Sequence, residues 1–502
     1  MKKSFKKISI LLISCLLITA MLFGCTSKKE VLDTVEITIM APLNGLSQPE
    51  KDNDIEKAIQ DLTGEKVNII WIPKESYKEK SMMMIASGEF PDILVVEDET
   101  EDIVKGAEQG GFWNVGPYLK DYPNLCNVDQ NILKNSSFRG EVYGIYRYRN
   151  SIDNAIVLRK DWIEKLGLKE PNNTDEFKEV LKKITYNDPD GNGLNDTYGL
   201  GISGADYNVF NSVIAQVATW FGASNKWKID NEVLTPSFMT AEYKNALDYI
   251  KGLYEEGLID PKFYSTNGEE VKEKFKNNKY GAVMENQTDA IKLENSIKEK
   301  YPNNDSDKII TAIGGFRNNN EGKILSKNGY SGLLMFPKRK IKTEEKLKKV
   351  LSFVDKLNSK EGYMLLNYGI EGKNYTLKND NLNFIESSSN YDLLSYSEIS
   401  TNWNKESISN VDKSQFTKEL KNIREVSETN RAVNIAAPLK VQGHIKNGNE
   451  LEGKIDELNA QFIFGKINKD EYETSIKEWL DNGGEKYIQK VNDLYKALSK
   501  KR

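Results

Sequence analysis

The sequence predicts an α/β protein built as more than one lobe, and three observations carry that expectation. At 502 residues the chain is too long for one small core. Short β-branched runs are followed by stretches of helical period, a pattern that gives a largely parallel sheet covered on both faces. No internal repeat and no long low-complexity linker divides the chain, so two lobes would be joined by several crossings instead of one.

The first strand is VEITIMAP, ending at Pro42. A helix over Asp54–Thr63 and a second strand, VNIIWIP, follow it. SYKEKSMMMIASGEFPDILVVED then reads as helix, turn and strand. Helices are expected at Asp161–Leu166 and Thr174–Ile184. In the latter, Thr174 is placed to cap the start and Asp175 and Glu176 suit the positive end of the dipole. Phe177, Val180, Leu181 and Ile184 recur at helical spacing and form one apolar stripe. Further helices are readable at Ala241–Glu256, Glu344–Leu357 and Lys469–Asp481. GLLMFP reads as a strand, and PKRKIKTEEKLKK after it as the solvated start of a helix.

With 38% hydrophobic and 29% charged residues the composition is that of a globular chain, not a disordered one. The formal charge of −5 includes Lys2, Lys3, Lys6 and Lys7; without them 66 basic residues face 75 acidic ones. That balance, with no basic cluster among aromatics, argues against a nucleic-acid partner. His444 is the only histidine, in VQGHIKNGNE with no nucleophile beside it, and reads as a loop histidine and not a catalytic base.

MKKSFKKISILLISCLLITAMLFGC has a basic start and an apolar run from Ile8 to Phe23, which fits a secretory leader and is short for a spanning helix. It ends in Leu22-Phe23-Gly24-Cys25, which resembles the lipobox of bacterial lipoproteins, so Cys25 is expected to become the acylated N-terminus. Phe23 is bulkier than the small residue usual there, and an ordinary leader containing a cysteine is the plainer reading. Cys15 would leave with the leader, and Cys126 would be the one free thiol, so no disulfide framework is expected. TSKKEVLDTVE after Cys25 reads as a polar tether. These features place the protein outside the cell, lipid-anchored at the membrane face.

Eight segments carry a resemblance: ASGEFPDIL, GGFWNVGPYLKDYPNL, GEVYGIY, VLRKDWIEKLGLKEPNNTDEF, NDPDGNGLNDTYGL, LYEEGLIDPKF, FKNNKYGAV and NYGIEGKNY. In this order, over about 290 residues, they resemble the family 1 extracellular solute-binding proteins of ABC transporters, in the lipoprotein branch serving oligosaccharide uptake. The resemblance implies an α/β, two-lobe periplasmic-binding-protein-like fold with several interlobe crossovers. It implies a non-catalytic monomer that closes on an oligosaccharide and delivers it to ABC permease subunits. The expected division is residues 1–24 as leader, 25–34 as tether, 35–150 with about 308–375 as lobe 1, and about 151–307 with 376–502 as lobe 2.

A sugar presents hydroxyl edges and apolar faces, so its site needs planar polar groups and aromatic platforms, and 24 tyrosines make the latter plentiful. Loops after strands are the places to look. Asn44 follows the first strand, Asp92 opens the strand in FPDILVVE, Tyr146 ends GEVYGIY and Arg149 follows it. Trp220, Trp403 and the glycine-flanked Glu371 complete the candidates, although core packing is the ordinary fate of any one aromatic. Two rival functions stay open: a secreted glycoside hydrolase using two carboxylates, and a binding protein for a peptide or other solute.

NDPDGNGLNDTYG, Asn187 to Gly199, is an EF-hand-like loop. Asp188, Asp190 and Asn192 stand at positions one, three and five, Gly193 at the turn, the Leu194 carbonyl at seven and Asp196 at nine. Hard oxygen ligands select calcium. Position twelve is Gly199 instead of Glu, and Thr197 stands where the resembled family commonly has an acid. The alternative is an Asx-rich turn without metal.

Overall fold

The computed structural model describes residues 36–44, 47–205, 207–302, 306–317, 322–378, 381–385, 390–401, 403, 414–441 and 447–500. The leader, Cys25, the tether and His444 lie outside them.

Before the first crossing come β1 (Ile37–Leu43), β2 (Val67–Pro73), β3 (Ile93–Val96) and β4 (Gly144–Tyr148). After it come β5 (Asn154–Arg159), β6 (Tyr198–Gly201), the hairpin β7 (Trp227–Asp230) and β8 (Val233–Pro236), β9 (Tyr280–Asn286) and β10 (Ile310–Ile313). The chain continues with β11 (Ile324–Leu325), β12 (Tyr330–Met335), the hairpin β13 (Tyr375–Lys378) and β14 (Asn381–Phe384), and β15 (Arg431–Ala432).

Two sheets organise the lobes. The first has the order β2-β1-β3-β12-β4, and the second β10-β5-β9-β6. In the first, β1 runs parallel to β2 and β3, while β12 is antiparallel to β3 and β4. Its strands are apolar on both faces, as a helix-covered sheet requires. Met40, Leu94 and Val95 are fully buried among helix residues such as Val104, Leu351 and Val354. The second sheet is more mixed: β5 is antiparallel to β9 and β10, and β6 is parallel to β9. A further core joins Leu234 of the β7–β8 hairpin to Trp479, Tyr487 and Val491 of the C-terminal helices.

Helix positions follow local sequence closely. Asp54–Thr63 is helical because Asn53 accepts from the Ile55 and Glu56 amides, and Gly64 ends it at φ +78°. The stripe at Phe177, Val180, Leu181 and Ile184 is buried within helix Thr174–Tyr186. Its cap, however, is Asn173, whose Oδ1 accepts from the Glu176 amide at 2.9 Å, and Thr174 is the first helical residue.

The lobe boundaries differ from those expected. Pairing of β10 with β5 keeps the chain in the second sheet as far as Ile313, beyond the expected return near residue 308. Leu393, Tyr396 and Ile399 belong to the first core, so the segment after 375 stays with the first lobe. Both shifts come from pairings distant in sequence, which local composition does not record.

The chain passes between the sheets three times: through residues 149–153, between Ile313 and Tyr330, and between Trp403 and Ser414. Backbone bonds lace the first two together and tie the end of β4 to the segment before Trp403. The Arg149 amide donates to Gly329 O at 2.9 Å, Lys327 to Ser151 O at 2.8 Å, and Tyr148 to Thr401 O at 2.7 Å. Near the second stretch, β12 slips register against β4 between Tyr330 and Leu333. Gly332 makes this possible: its φ is +83°, and a Cβ there would sit 2.4 Å from Val96 O.

Candidate functional site

Strand direction fixes where a ligand would sit. Strand β4 ends at Tyr148 and leads straight into the first crossing, so the carboxyl ends of β1, β3 and β4 face that edge. Strand β5 leaves the same crossing by its amino end, so the antiparallel β9 and β10, with β6, turn their carboxyl ends toward it. Both lobes therefore present the strand ends at which ligands of α/β sheets bind.

At this edge the first lobe holds a charged cluster. Arg147, 2% exposed, donates from Nη2 to Glu398 Oε2, and Asn44 Nδ2 donates to Glu398 Oε1. The Asn44 amide also donates to Ser395 Oγ at 3.1 Å. Asn44 is thus at the strand end, where the sequence put it, with its side chain held by Glu398. Two positions on, Arg149 is half-buried and donates from Nη1 to Tyr148 O at 2.9 Å. Burial, and then the charge of Arg147, hold its guanidinium below the usual range.

Tyr146 and Trp403 come together. Their rings lie 4.7 Å apart, Trp403 Nε1 donates to Tyr146 O at 2.9 Å, and the Asp129 amide donates to Tyr146 Oη at 3.1 Å. Tyr146 is buried in the first core, and Trp403 packs partly exposed against it. Tyr363, in helix Lys360–Tyr368, is 5% exposed; burial raises its pKa most strongly, and the charge of Arg149 acts against that rise. From it a row of rings continues to Tyr368 at 6.0 Å, and from Tyr368 to Tyr375 at 6.4 Å and Phe384 at 5.9 Å. Phe384 is 57% exposed. Glu371 is exposed and bridges to Tyr375, next to this row.

Asp92 lies away from the crossings, whereas Trp220 is buried in the second core against the second of them, where a Cβ on Gly315 would lie 2.5 Å from its Nε1. Asp92, 1% exposed, is at the amino end of β3, the end away from the crossing. Its Oδ2 accepts from the Thr38 amide at 3.0 Å and from Thr38 Oγ1 at 2.7 Å, and Lys346 Nζ is 2.5 Å from Oδ1. It ties a strand to a helix. Trp220, 1% exposed, packs in the second core against Phe177 and Phe316 at 6.2 and 4.9 Å.

The sequence reading passed over Arg147, Glu398 and the row from Tyr363 to Phe384. The row's Tyr368 and Tyr375 do stand in NYGIEGKNY, which was the available signal. Lys440 was also missed: it reaches the first lobe from the segment after the third crossing, with Nζ 2.7 Å from Glu99 Oε2.

The loop at Asp188 is a tight turn closed by its own side chains. Asp188 accepts from the Gly191, Asn192 and Gly193 amides at 3.0, 3.1 and 2.9 Å. These bonds, the Gly193 amide foremost, hold its carboxyl below the usual range, whereas burial and the Asp188 neighbour push Asp190 up. Asp190 Oδ2 and Asp196 Oδ1 both accept from Asn192 Nδ2, at 2.9 and 3.2 Å, so these carboxylates converge. Lys279 pairs with Asp196. No side chain could occupy position twelve, because a Cβ on Gly199 would lie 2.6 Å from Leu181 Cβ. Thr197 is buried and donates to Ile184 O at 2.9 Å, facing inward. Among the described residues no three acidic, cysteine or histidine side chains are gathered closely enough to hold a metal.

Comparison with known proteins agrees with this architecture. The model of the bacterial extracellular solute-binding proteins matches residues 47–364. Lipoprotein LipO of Bacillus subtilis is 33% identical, over 95% of this chain and 96% of its own length. The polygalacturonan/rhamnogalacturonan-binding protein YtcQ of the same organism is 30% identical over 89% of each chain. Among solved structures, the Streptococcus pneumoniae substrate-binding protein FusA in complex with kestose superposes with a TM-score of 0.66 at 18% identity, covering 93% of this chain and all 100% of its own. An extracellular solute-binding protein from Bifidobacterium longum subsp. infantis reaches 0.72 at 16% identity, covering 93% and 98%. The two-lobed α/β architecture, the strand ends meeting at its crossings and these matches lead to one assignment: the chain belongs to the bacterial extracellular solute-binding protein family.

Proposed function

We propose that the protein captures an oligosaccharide between its lobes and hands it to the permease subunits of an ABC transporter, without cleaving it. The observation that carries this reading is the row of rings from Tyr363 to the exposed Phe384, on the same lobe that brings the half-buried Arg149 to the interlobe crossing. Sugar faces pack on such rings while polar groups take the hydroxyl edges. The relation to YtcQ supports the same ligand class. Asn44, Tyr146, Glu371 and Trp403 stand on the lobe that carries this row, as further candidates for contact or support. Closure follows if the ligand touches both lobes and so favours the closed form. The test is calorimetry against neutral and acidic oligosaccharides, with scattering on the same samples. The reading expects a bound sugar recovered intact and a smaller radius of gyration. Cleaved sugar would favour the hydrolase, and binding of peptides alone a different solute.

The protein acts as a monomer held at the outer membrane face by lipid on Cys25, a reading supported by the leader pattern and by the relation to LipO. Cys25→Ala should release it from the membrane; unchanged attachment would refute the anchor.

The loop takes one calcium ion, held by Asp188, Asp190, Asn192, Asp196 and the Leu194 carbonyl. The convergence of Asp190 and Asp196 on Asn192 fits a hard cation, and a solved structure of the FusA EF-hand mutant is among the structural neighbours. The ion would tie the end of helix Thr174–Tyr186 to β6, a structural role. Without a side chain at position twelve its affinity is modest. Calcium should raise the melting temperature, and Asp188→Ala with Asp190→Ala should abolish the rise. A melting temperature indifferent to calcium after chelation would leave only a turn.

A further inference from the structure

We infer that the bound sugar carries a carboxylate and that Arg149 reads it, so that the solute class is a uronate-containing oligosaccharide and not a neutral one. The inference rests on the oligosaccharide reading above and adds the charge of the ligand.

The reasoning starts from what a guanidinium needs. It carries five N–H donors in a planar fork and cannot discharge, so once partly withdrawn from water it requires acceptors. Arg149 has one, the carbonyl of its own predecessor Tyr148 at 2.9 Å. Two acids act on it electrostatically, Glu398 and Asp153, and the protein has committed both elsewhere. Glu398 takes Arg147 on one oxygen and Asn44 on the other, and Asp153 pairs with Lys327 at 2.9 Å. Neither forms an ion pair with Arg149.

Its remaining neighbours do not supply an anion. Arg147 repels it, and Tyr363 stays protonated because burial opposes its ionisation. Among the described residues the fork therefore lacks a counter-ion, at the crossing where the strand ends of both lobes meet. An incoming carboxylate would accept two parallel hydrogen bonds, the geometry a guanidinium matches best.

The rings name the rest of the ligand. Tyr363, on which the charge of Arg149 acts, is followed by Tyr368 and Phe384 in steps of 6.0 and 5.9 Å, to a ring 57% exposed. A pyranose places apolar C–H bonds on its faces and, in a uronate, the carboxylate at its edge. A face on a ring and an edge on Arg149 satisfy both features at once. An acidic peptide would use the fork but has no comparable need of the row.

The experiment is calorimetry with the mature chain. The probes are the trisaccharides of galacturonate, glucuronate and mannuronate, their methyl esters, the neutral counterparts, and Glu-Glu-Glu. At least one uronate should bind on the order of 100-fold more tightly than its ester, the scale of losing a partly buried charged partner. Arg149→Lys should keep part of that preference, and Arg149→Met should bring acid and ester close together. Equal affinity of the unaltered protein for acid and ester overturns the inference, as does an undiminished preference in Arg149→Met. Should Arg149→Met fail to fold, the acid-to-ester ratio of the unaltered protein and of Arg149→Lys decides. Binding of neutral sugars alone overturns the inference and leaves the oligosaccharide reading standing. Binding of Glu-Glu-Glu alone, or of no probe, overturns both.

Discussion

Lys440 and Arg149 are both cations at the junction of the lobes, and the protein surrounds them in opposite ways. Lys440 Nζ donates to Glu99 Oε2 at 2.7 Å, to Asn135 O at 2.6 Å and to Tyr330 Oη at 2.6 Å, so all three of its N–H bonds are used. It also lies over the rings of Phe138 and Tyr330, at 5.4 and 5.2 Å. Arg149 has five donors and one acceptor. Burial pulls both pKa values down, and only at Lys440 does a directly paired carboxylate push back. The contrast separates two uses of a buried charge. One fixes a segment of chain against its neighbour; the other is left for something that arrives later.

The largest effect should come from breaking the satisfied site. Lys440→Met leaves the half-buried Glu99 with one oxygen unmatched and strips Asn135 O of this donor. A broken buried pair costs about 3–5 kcal/mol, because the remaining charge is uncompensated. Urea denaturation should show that loss, and adding Glu99→Gln should recover part of it. A loss below about 1 kcal/mol would mean that Glu99 finds water, and the contrast with Arg149 would collapse.

A smaller effect belongs to an acid that is also short of partners. Glu285 lies near the carboxyl end of β9, and burial pushes its pKa up to about 7; Lys272 and Lys292 oppose the shift, while Asp289 and Glu269 add to it. The unfolded chain releases this proton near the ordinary value of about 4.3. Between that value and about 7 the folded state holds a proton that the unfolded state has lost, so stability falls as pH rises through this window. Above it the penalty is constant, about 3 kcal/mol. Glu285→Gln should therefore stabilise the protein by about that amount at pH 8 and hardly at all at pH 4. A gain independent of pH would point to packing, and would show that missing partners alone do not mark a functional charge.

How far these sites were legible depended on sequence distance. Helix Glu344–Leu357 and strand β2 could be read to the residue, since their signals lie within the segment itself. Arg149 was found because it follows a strand ending in a family segment. Asp92 looked equally promising, yet the partners that make it structural, Thr38 and Lys346, stand 54 residues before it and 254 after it. The same holds for Trp220, whose aromatic neighbours Phe177 and Phe316 come from two other parts of the chain. Lys440 gave no local sign, for its acceptors come from three separate elements of the first lobe. A sequence displays which residues could bind; it does not display which have already been taken.

The smallest effect is expected at Arg149 itself, in the protein without ligand, and it is the sharpest test of the comparison. Arg149→Met removes one hydrogen bond, to Tyr148 O, and distant attraction to Glu398 and Asp153. It also removes the cost of desolvating a guanidinium and its repulsion by Arg147. These contributions oppose each other, and methionine can keep much of the apolar contact made by the arginine stem. The denaturation midpoint should shift little, leaving stability within about 1 kcal/mol of the parent. A loss as large as that of Lys440→Met would place Arg149 among the structural cations, satisfied by contacts that the fold already supplies. A near-zero change, with the same substitution removing the preference for a charged sugar, would mean that the ligand completes this site and the fold does not.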